Sequence, residues 1–159
     1  MMRDMLGPDA VEWHGVLYTF LLRSADTGGA VAIVDSVSRP ASGPPRHIHC
    51  DCDETFVVLS GDVVFEVDGA IRQCGPGQAA FVPRGAEHSF HVVGPAPARM
   101  LTIFSPGGFE AFFEAMGEGG YAFPADMGRI EEIGHDFHLT FTGPPLEPSA
   151  AGILTGDLT

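Results

Sequence analysis

Glycine and proline interrupt the apolar part of this chain at short, regular intervals, and that punctuation limits what it can fold into. Between Trp13 and Phe104, each run of β-branched and aromatic residues ends at a glycine or proline. Such runs are typical of β-strands, and strands at this spacing favour an antiparallel sandwich or barrel. We therefore predict an all-β fold, in which residues 13–23 and 30–38 form its first two strands.

Helix is predicted only near the end of the chain. Phe109, Phe112, Phe113 and Met116 follow the i, i+3, i+4, i+7 pattern of one helix face. A weaker second helix is predicted over about residues 125–133, followed by a loop-like tail around Gly143. Because we find neither an internal repeat nor a linker, we predict a single domain over residues 1–159. Its barrel core spans about 13–105, and a helical and loop-like extension spans about 106–159.

Four side chains have the chemistry and spacing of a metal site. His47 and His49 are two residues apart, so on a strand they point to the same face. Glu54 follows five residues later, and His88 begins another predicted strand after a Pro-x-Gly turn. Imidazole and carboxylate suit divalent Fe, Mn, Ni, Co, Cu or Zn, and ligand type alone does not choose among these metals. Three histidines and one carboxylate also leave a coordination position open for substrate.

The other histidines and the cysteines are predicted to lie outside this site. No other histidine has a partner at metal-ligand spacing, so we interpret these as structural or exposed: His14, His91, His135 and His138. The three cysteines include no Cys-x-x-Cys pair, which argues against a disulfide framework. Cys50 and Cys52 should alternate with the histidines and face away from the metal as free thiols.

Charge and hydropathy exclude some functions. Twenty-one acidic against eight basic residues give a formal charge of −13, which should repel nucleic acid and anionic membranes. No apolar run reaches the ~18 residues of a membrane span. The first residues contain no apolar secretory core, so we expect a cytoplasmic protein.

The two histidine motifs together resemble those of the cupin superfamily. The first is His47-x-His49-x4-Glu54-x6-Gly61, and the second is Gly77-x5-Pro83-x-Gly85-x2-His88. Val92 stands where the family usually has an asparagine, but all four ligand positions match. Segments outside the motifs are similar to small single-domain cupins described as quercetin-dioxygenase-like. The resemblance implies a double-stranded β-helix of jelly-roll type with a metal inside the barrel.

Strand alternation predicts the residues that surround the metal. Phe56 and Val58 share the parity of Glu54, and Phe90 shares that of His88, so they should point inward. Phe65 and Phe81 are predicted as further pocket walls. An interior of this kind suits a small aromatic or enolic substrate.

Three functions follow from this prediction. The first, implied by the resemblance, is a metal-dependent dioxygenase or related oxidoreductase, in which Glu54 accepts a proton from a substrate hydroxyl. The second is a metal-dependent isomerase or lyase, and the third is a non-catalytic module that binds a small molecule. We also expect a homodimer, because the edge strands and the apolar helix stripe need cover.

Overall fold

The computed structural model describes residues 2–147 and 149, which form eleven strands, three α-helices and a short 3-10 helix at Ser24–Thr27. The strands are β1 (Val11–Trp13), β2 (Val16–Leu22), β3 (Ala32–Ser38), β4 (Pro45–His49), β5 (Asp53–Ser60), β6 (Asp62–Val67), β7 (Ala70–Cys74), β8 (Ala79–Val82), β9 (His88–Val93), β10 (Ala98–Ser105) and β11 (Leu139–Pro145). The helices are α1 (Arg3–Leu6), α2 (Glu110–Gly119) and α3 (Met127–Asp136).

The strands make two antiparallel sheets that face each other. The larger has six strands in the order β1-β2-β3-β10-β5-β8, and the smaller has five in the order β11-β4-β9-β6-β7. Neighbours such as β3 and β10 are distant in sequence, so the chain passes back and forth between the sheets. This arrangement confirms the predicted all-β, double-stranded β-helix with a short helical segment.

Alternating burial explains how single strands build this barrel. Along β5 the even-numbered residues from Glu54 to Val58 are buried, and the odd-numbered residues from Asp53 to Val57 are half-buried. The turn from β5 to β6 needs glycine at position 61, where φ is +81° and a Cβ would lie 2.7 Å from the Cα of Ala98. The end of α2 likewise uses Gly120, whose φ is +62°.

The N-terminal prediction of one strand over residues 13–23 is wrong in detail. The chain reverses at His14 and Gly15, which both have positive φ, so that Trp13 pairs with Val16. A two-residue turn with positive φ at both positions matches the twist of a β-hairpin. Residues other than glycine uncommonly take this conformation, so the turn at His14 was not predicted.

The helices and the last strand close one end of the barrel. α2 and α3 confirm the two predicted helices, and three members of the stripe, Phe109, Phe112 and Met116, are buried against the chain's own barrel. The stripe therefore does not need a second subunit to cover it. The loop-like tail is also wrong, because β11 pairs with β4 and adds a strand to the smaller sheet.

Two large hydrophobic clusters fill most of the interior. The barrel cluster lies between the sheets and includes Phe56, Val58, Phe65 and Met100. The helix-side cluster joins the barrel to α2 and α3, and it includes Tyr18, Phe104, Phe109, Phe112 and Ile130. Among the described residues, no helix is long and apolar enough to cross a membrane.

Candidate metal centre

The four predicted ligands meet at the boundary between the two hydrophobic clusters. His47 and His49 lie on the inner face of β4, and His88 pairs directly with His47 from the start of β9. Glu54 comes from the opposite sheet, where it pairs with Phe104 on one side and Val82 on the other. All four side chains are buried, and one ligand atom from each lies within 4.8 Å of the others.

Hydrogen bonds orient two of the histidine rings. The Nδ1–H of His47 donates to the carbonyl of Pro45 at 2.8 Å, and that of His88 donates to the carbonyl of Ala86 at 3.1 Å. Both rings therefore present Nε2 to the centre, an arrangement that commonly fixes metal-binding histidines. The Nδ1 of His49 has no hydrogen-bond partner within the described chain. Its ring is instead held edge-on against Phe109, with the ring centroids 4.2 Å apart.

Glu54 completes the cluster as its only carboxylate. Its Oε2 lies 2.8 Å from Nε2 of His88 and 3.1 Å from Nε2 of His49. Burial alone would raise the pKa of Glu54, but the charge and hydrogen bond of His49 and the matching contacts of His88 lower it overall. Glu54 is therefore ionised at neutral pH.

This environment shifts the pKa values of His47 and His88 in opposite directions. Burial, followed by repulsion from His88 and His49, lowers the pKa of His47 to about 3. Burial also opposes protonation of His88, but its hydrogen bond and charge interaction with Glu54 outweigh that effect and raise its pKa. The Glu54 carboxylate thus favours protonation of His88, whereas burial disfavours protonation of His47.

The donor set and its spacing fit a first-row divalent metal. Two ligand atoms bound at ~2.1 Å and at right angles to each other lie ~3.0 Å apart, close to the 2.8 Å and 3.1 Å between Glu54 and its two histidines. A negative carboxylate and three nitrogens are ligands that such metals accept. The cluster can therefore hold one metal through His47, His49, Glu54 and His88.

The cysteines lie outside this cluster, as predicted, although the reason differs. β4 ends at His49, so Cys50 and Cys52 lie in the connection to β5 rather than alternating along a strand. Cys50 is exposed and Cys52 is buried. Burial, followed by the charge of Glu54, raises the pKa of Cys52 to about 12, so this thiol stays protonated and is a poor metal ligand.

A largely apolar cavity opens onto the cluster. His47, His49 and Glu54 form part of its wall, and Phe56 and Phe90 line it as predicted. Further aromatic walls come from the hairpin, the helical region and β11, and they include Trp13, Phe109, Phe112, Phe113, Phe123 and Phe141.

Three predicted pocket residues lie elsewhere. Val58 and Phe65 point inward but are packed within the barrel cluster, where they are 0% and 2% exposed. Phe81 is 59% exposed on the outer face of β8, between the buried Ala80 and Val82, so its prediction as a pocket wall is wrong. If Val82 is taken as an inward-facing residue of β8, strand alternation places its neighbour Phe81 on the outer face.

Several cavity residues were missed from the sequence. His14 was interpreted as structural or exposed, but it is an exposed residue at the cavity wall, with its ring 4.7 Å from that of Phe123. Tyr18 and Thr102 also line the cavity, and the burial of Tyr18, followed by the charge of Glu54, raises its pKa. Phe141 faces the site because it pairs with His47, a contact that needed β11 to be recognised.

Comparisons with known proteins agree with this architecture. Residues 37–104 match the family of the cupin domain. KdgF from Halomonas sp. has a similar structure, with a TM-score of 0.59 and 19% identity over 65% of this chain and 91% of that one. An RmlC-like cupin from Shewanella frigidimarina has a TM-score of 0.56 and 19% identity, over 65% of this chain and 87% of that one. A predicted oxalate decarboxylase from Thermotoga maritima has a TM-score of 0.54 and 24% identity, over 57% of this chain and 80% of that one. No curated protein matches the chain significantly.

These similarities are to the fold, since each solved structure is less than 25% identical to the chain. The facing antiparallel sheets and the buried three-histidine, one-glutamate cluster define a small β-barrel with a potential metal centre. The match to the cupin domain over residues 37–104 includes all four residues of the cluster.

Proposed function

We propose that this protein binds one divalent transition metal and is an oxidoreductase, most specifically a dioxygenase, acting on a small aromatic or enolic substrate. The observation that carries the proposal is the position of the cluster in the wall of an aromatic cavity. Fe, Mn, Ni, Co, Cu and Zn all suit the donor set. When bound, such a metal would supply an open coordination position for substrate and the redox or Lewis-acid chemistry of the reaction.

Glu54 would act both as a ligand and as the proton acceptor. Its Oε2 faces the two histidines, and among the described residues no hydrogen bond reaches Oε1. Oε1 can therefore take the proton from a substrate hydroxyl that enters the cavity. His47 and His88 hold their rings through backbone carbonyls, so they would keep the reacting end of the substrate in one place.

The cavity walls support an aromatic rather than a phosphorylated substrate. None of the arginines with described side chains lines the cavity, and the chain has no lysine. Arg46 pairs with Glu66, Arg84 with Asp53, and Arg99 with Asp35, all outside the cavity. Away from the metal, a phosphate would therefore enter an apolar site without a cation to pair with, which is unfavourable.

Oxygen uptake by the metal-loaded protein with a panel of phenols and enols tests the proposed activity. Wild type should consume oxygen with at least one compound, and His88→Ala should not. His91→Ala is the matched control, because His91 lies on the same strand but outside the cluster. Turnover that proceeds without oxygen would favour an isomerase or lyase, and binding without turnover would favour a binding module.

We also propose a homodimer that forms through the outer face of the larger sheet. Large apolar side chains are exposed there on three strands: Leu21 at 50%, Leu59 at 42% and Phe81 at 59%. An apolar face of this kind is stabilised when a second copy covers it.

A further inference from the structure

The cavity wall formed by the larger sheet contains polar groups that the proposed metal chemistry does not use. Among the cavity-lining residues, four carry hydroxyl groups: Tyr18, Ser36, Ser38 and Thr102. They come from three adjacent strands, β2, β3 and β10. In an otherwise aromatic cavity, such hydroxyls are the groups that could distinguish one apolar ligand from another.

Two of the four are not available to a ligand. The hydroxyl of Ser36 donates to the carbonyl of Met100 at 3.4 Å. The Oγ of Ser38 is fully buried, so a molecule in the cavity does not reach it without rotation of the side chain. Tyr18 and Thr102 remain.

Tyr18 is held in place but its hydroxyl has no partner. The residue is 8% exposed, and its ring stacks on Phe113 with the centroids 4.3 Å apart and the planes 16° apart. No hydrogen bond of its hydroxyl occurs in the part of the chain that the structure describes. The ring packs in the helix-side cluster with Phe104, the residue that pairs with Glu54. Its fixed orientation makes Tyr18 a preorganised donor near the cluster.

Thr102 lies between Tyr18 and the cluster along the same wall. Thr102 is two residues before Phe104 on β10, and Phe104 pairs with Glu54. Thr102 therefore lies ~7 Å along the strand direction from the position of Glu54. It is 6% exposed, and its hydroxyl also lacks a hydrogen-bond partner within residues 2–147. Buried hydroxyls are usually paired, so two unpaired hydroxyls on one cavity wall indicate that a ligand or a water pairs with them.

We propose that Tyr18 and Thr102 form a second polar subsite, which binds an oxygen substituent of a flat aromatic substrate whose reacting oxygens lie at the His–Glu cluster. The inference rests on the proposed function for the position of the reacting end. It narrows the substrate class to aromatic compounds with at least one oxygen beyond the metal-binding pair. The rings of Phe56, Phe109 and Phe113 line the same cavity and favour a flat ring system over an aliphatic polyol.

A matched set of ligands tests the subsite. 3-Hydroxychromone offers a hydroxy-ketone to the cluster, and its 5-hydroxy and 7-hydroxy derivatives each add one oxygen elsewhere on the ring system. Trp13 is the only tryptophan in the chain and lines the cavity, so quenching of its fluorescence reports binding. In wild type, we expect at least one derivative to bind about tenfold more tightly than the parent, as one hydrogen bond in a dry site allows.

Substitutions assign that preference to the two hydroxyls. Tyr18→Phe and Thr102→Val should each reduce the tenfold advantage to about threefold or less, with little change in affinity for 3-hydroxychromone. Tyr121→Phe and Thr55→Val are the controls, because they remove a phenol and a threonine hydroxyl from residues outside the cavity lining. Circular dichroism and metal content confirm that each variant is folded and loaded.

The outcomes separate this inference from the proposed function. An advantage that survives both substitutions, or derivatives that bind no better than the parent, would overturn the subsite, as would the absence of binding by all three chromones. Titrations of the metal-free protein should retain the preference for the added hydroxyl at lower overall affinity. A hydroxyl preference without any effect of metal would uphold the subsite and refute the metal-dependent function.

Discussion

Phe109 connects the helix-side cluster to the metal centre, and its replacement should weaken metal binding. Phe109 is 7% exposed and lies edge-on against His49, the cluster histidine whose Nδ1 has no hydrogen bond among the described residues. Phe109→Ala should lower the free energy of unfolding of the metal-free protein by about 3–5 kcal/mol, as is typical for a buried phenylalanine. It should also loosen the His49 ring, because no hydrogen bond holds its Nδ1 within the described chain.

The expected loss of affinity follows from that contact. An edge-to-face ring contact contributes about 1 kcal/mol, and loss of a group that orients a metal ligand typically costs 10- to 100-fold in affinity. We therefore expect Phe109→Ala to bind Co²⁺ about tenfold more weakly than wild type, measured by competition with a chelator.

Phe112→Ala is the matched control for this experiment. Phe112 is 1% exposed and stacks on Phe109, but it has no ring contact with a cluster histidine. The two variants should lose similar stability in urea denaturation, whereas only Phe109→Ala should lose affinity for the metal. Equal metal affinity in the two variants would refute the claim that Phe109 orients His49.

Three further predictions concern the cluster and the outer face. Glu54→Gln should keep most of the metal but lower turnover by about 10²–10⁴-fold, and normal turnover would place the base elsewhere. Because the pKa of His47 is lowered to about 3, the metal-free protein should lose up to ~1.4 kcal/mol of stability per pH unit as pH falls below ~6.5. The raised pKa of His88 opposes this loss in wild type and in His47→Gln alike, so urea denaturation at pH 6.5 and 5 should show a smaller loss in His47→Gln. Light scattering should show a dimer for wild type and a monomer for Phe81→Glu. Ile71→Glu, on the other sheet, is the control and should remain a dimer. A monomeric wild type would contradict the proposed interface.

The sequence was sufficient to predict most of the barrel and the cluster. The glycine and proline positions marked many strand ends, and Gly61, Gly69 and Gly94 each lie between consecutive strands. His47 and His49 could be placed on one face because side chains alternate along a strand. Glu54 and His88 could be joined to them because a barrel brings the inner faces of separate strands together.

The features that the sequence did not predict depend on long-range pairing. β11 contains Gly143 and two prolines, which are poor strand residues, and it forms a strand because it pairs with β4 beside the cluster. Tyr18 and Thr102 have no motif, and their common cavity wall depends on the order β2-β3-β10 in the sheet. Phe81 was misplaced because parity tells which face a residue occupies only when one residue of its own strand is already assigned, whereas Phe65 faces inward but packs in the barrel cluster.

Elemental analysis of the purified protein tests the central claim most directly. Wild type and His91→Ala should each contain one equivalent of one divalent transition metal per chain. His47→Ala and His88→Ala should contain little, because each loses one of the four ligands that meet at the cluster. Full metal occupancy in either of these two variants, or a wild type that takes up no transition metal after incubation with each of the six candidates, would contradict the assignment of the metal centre.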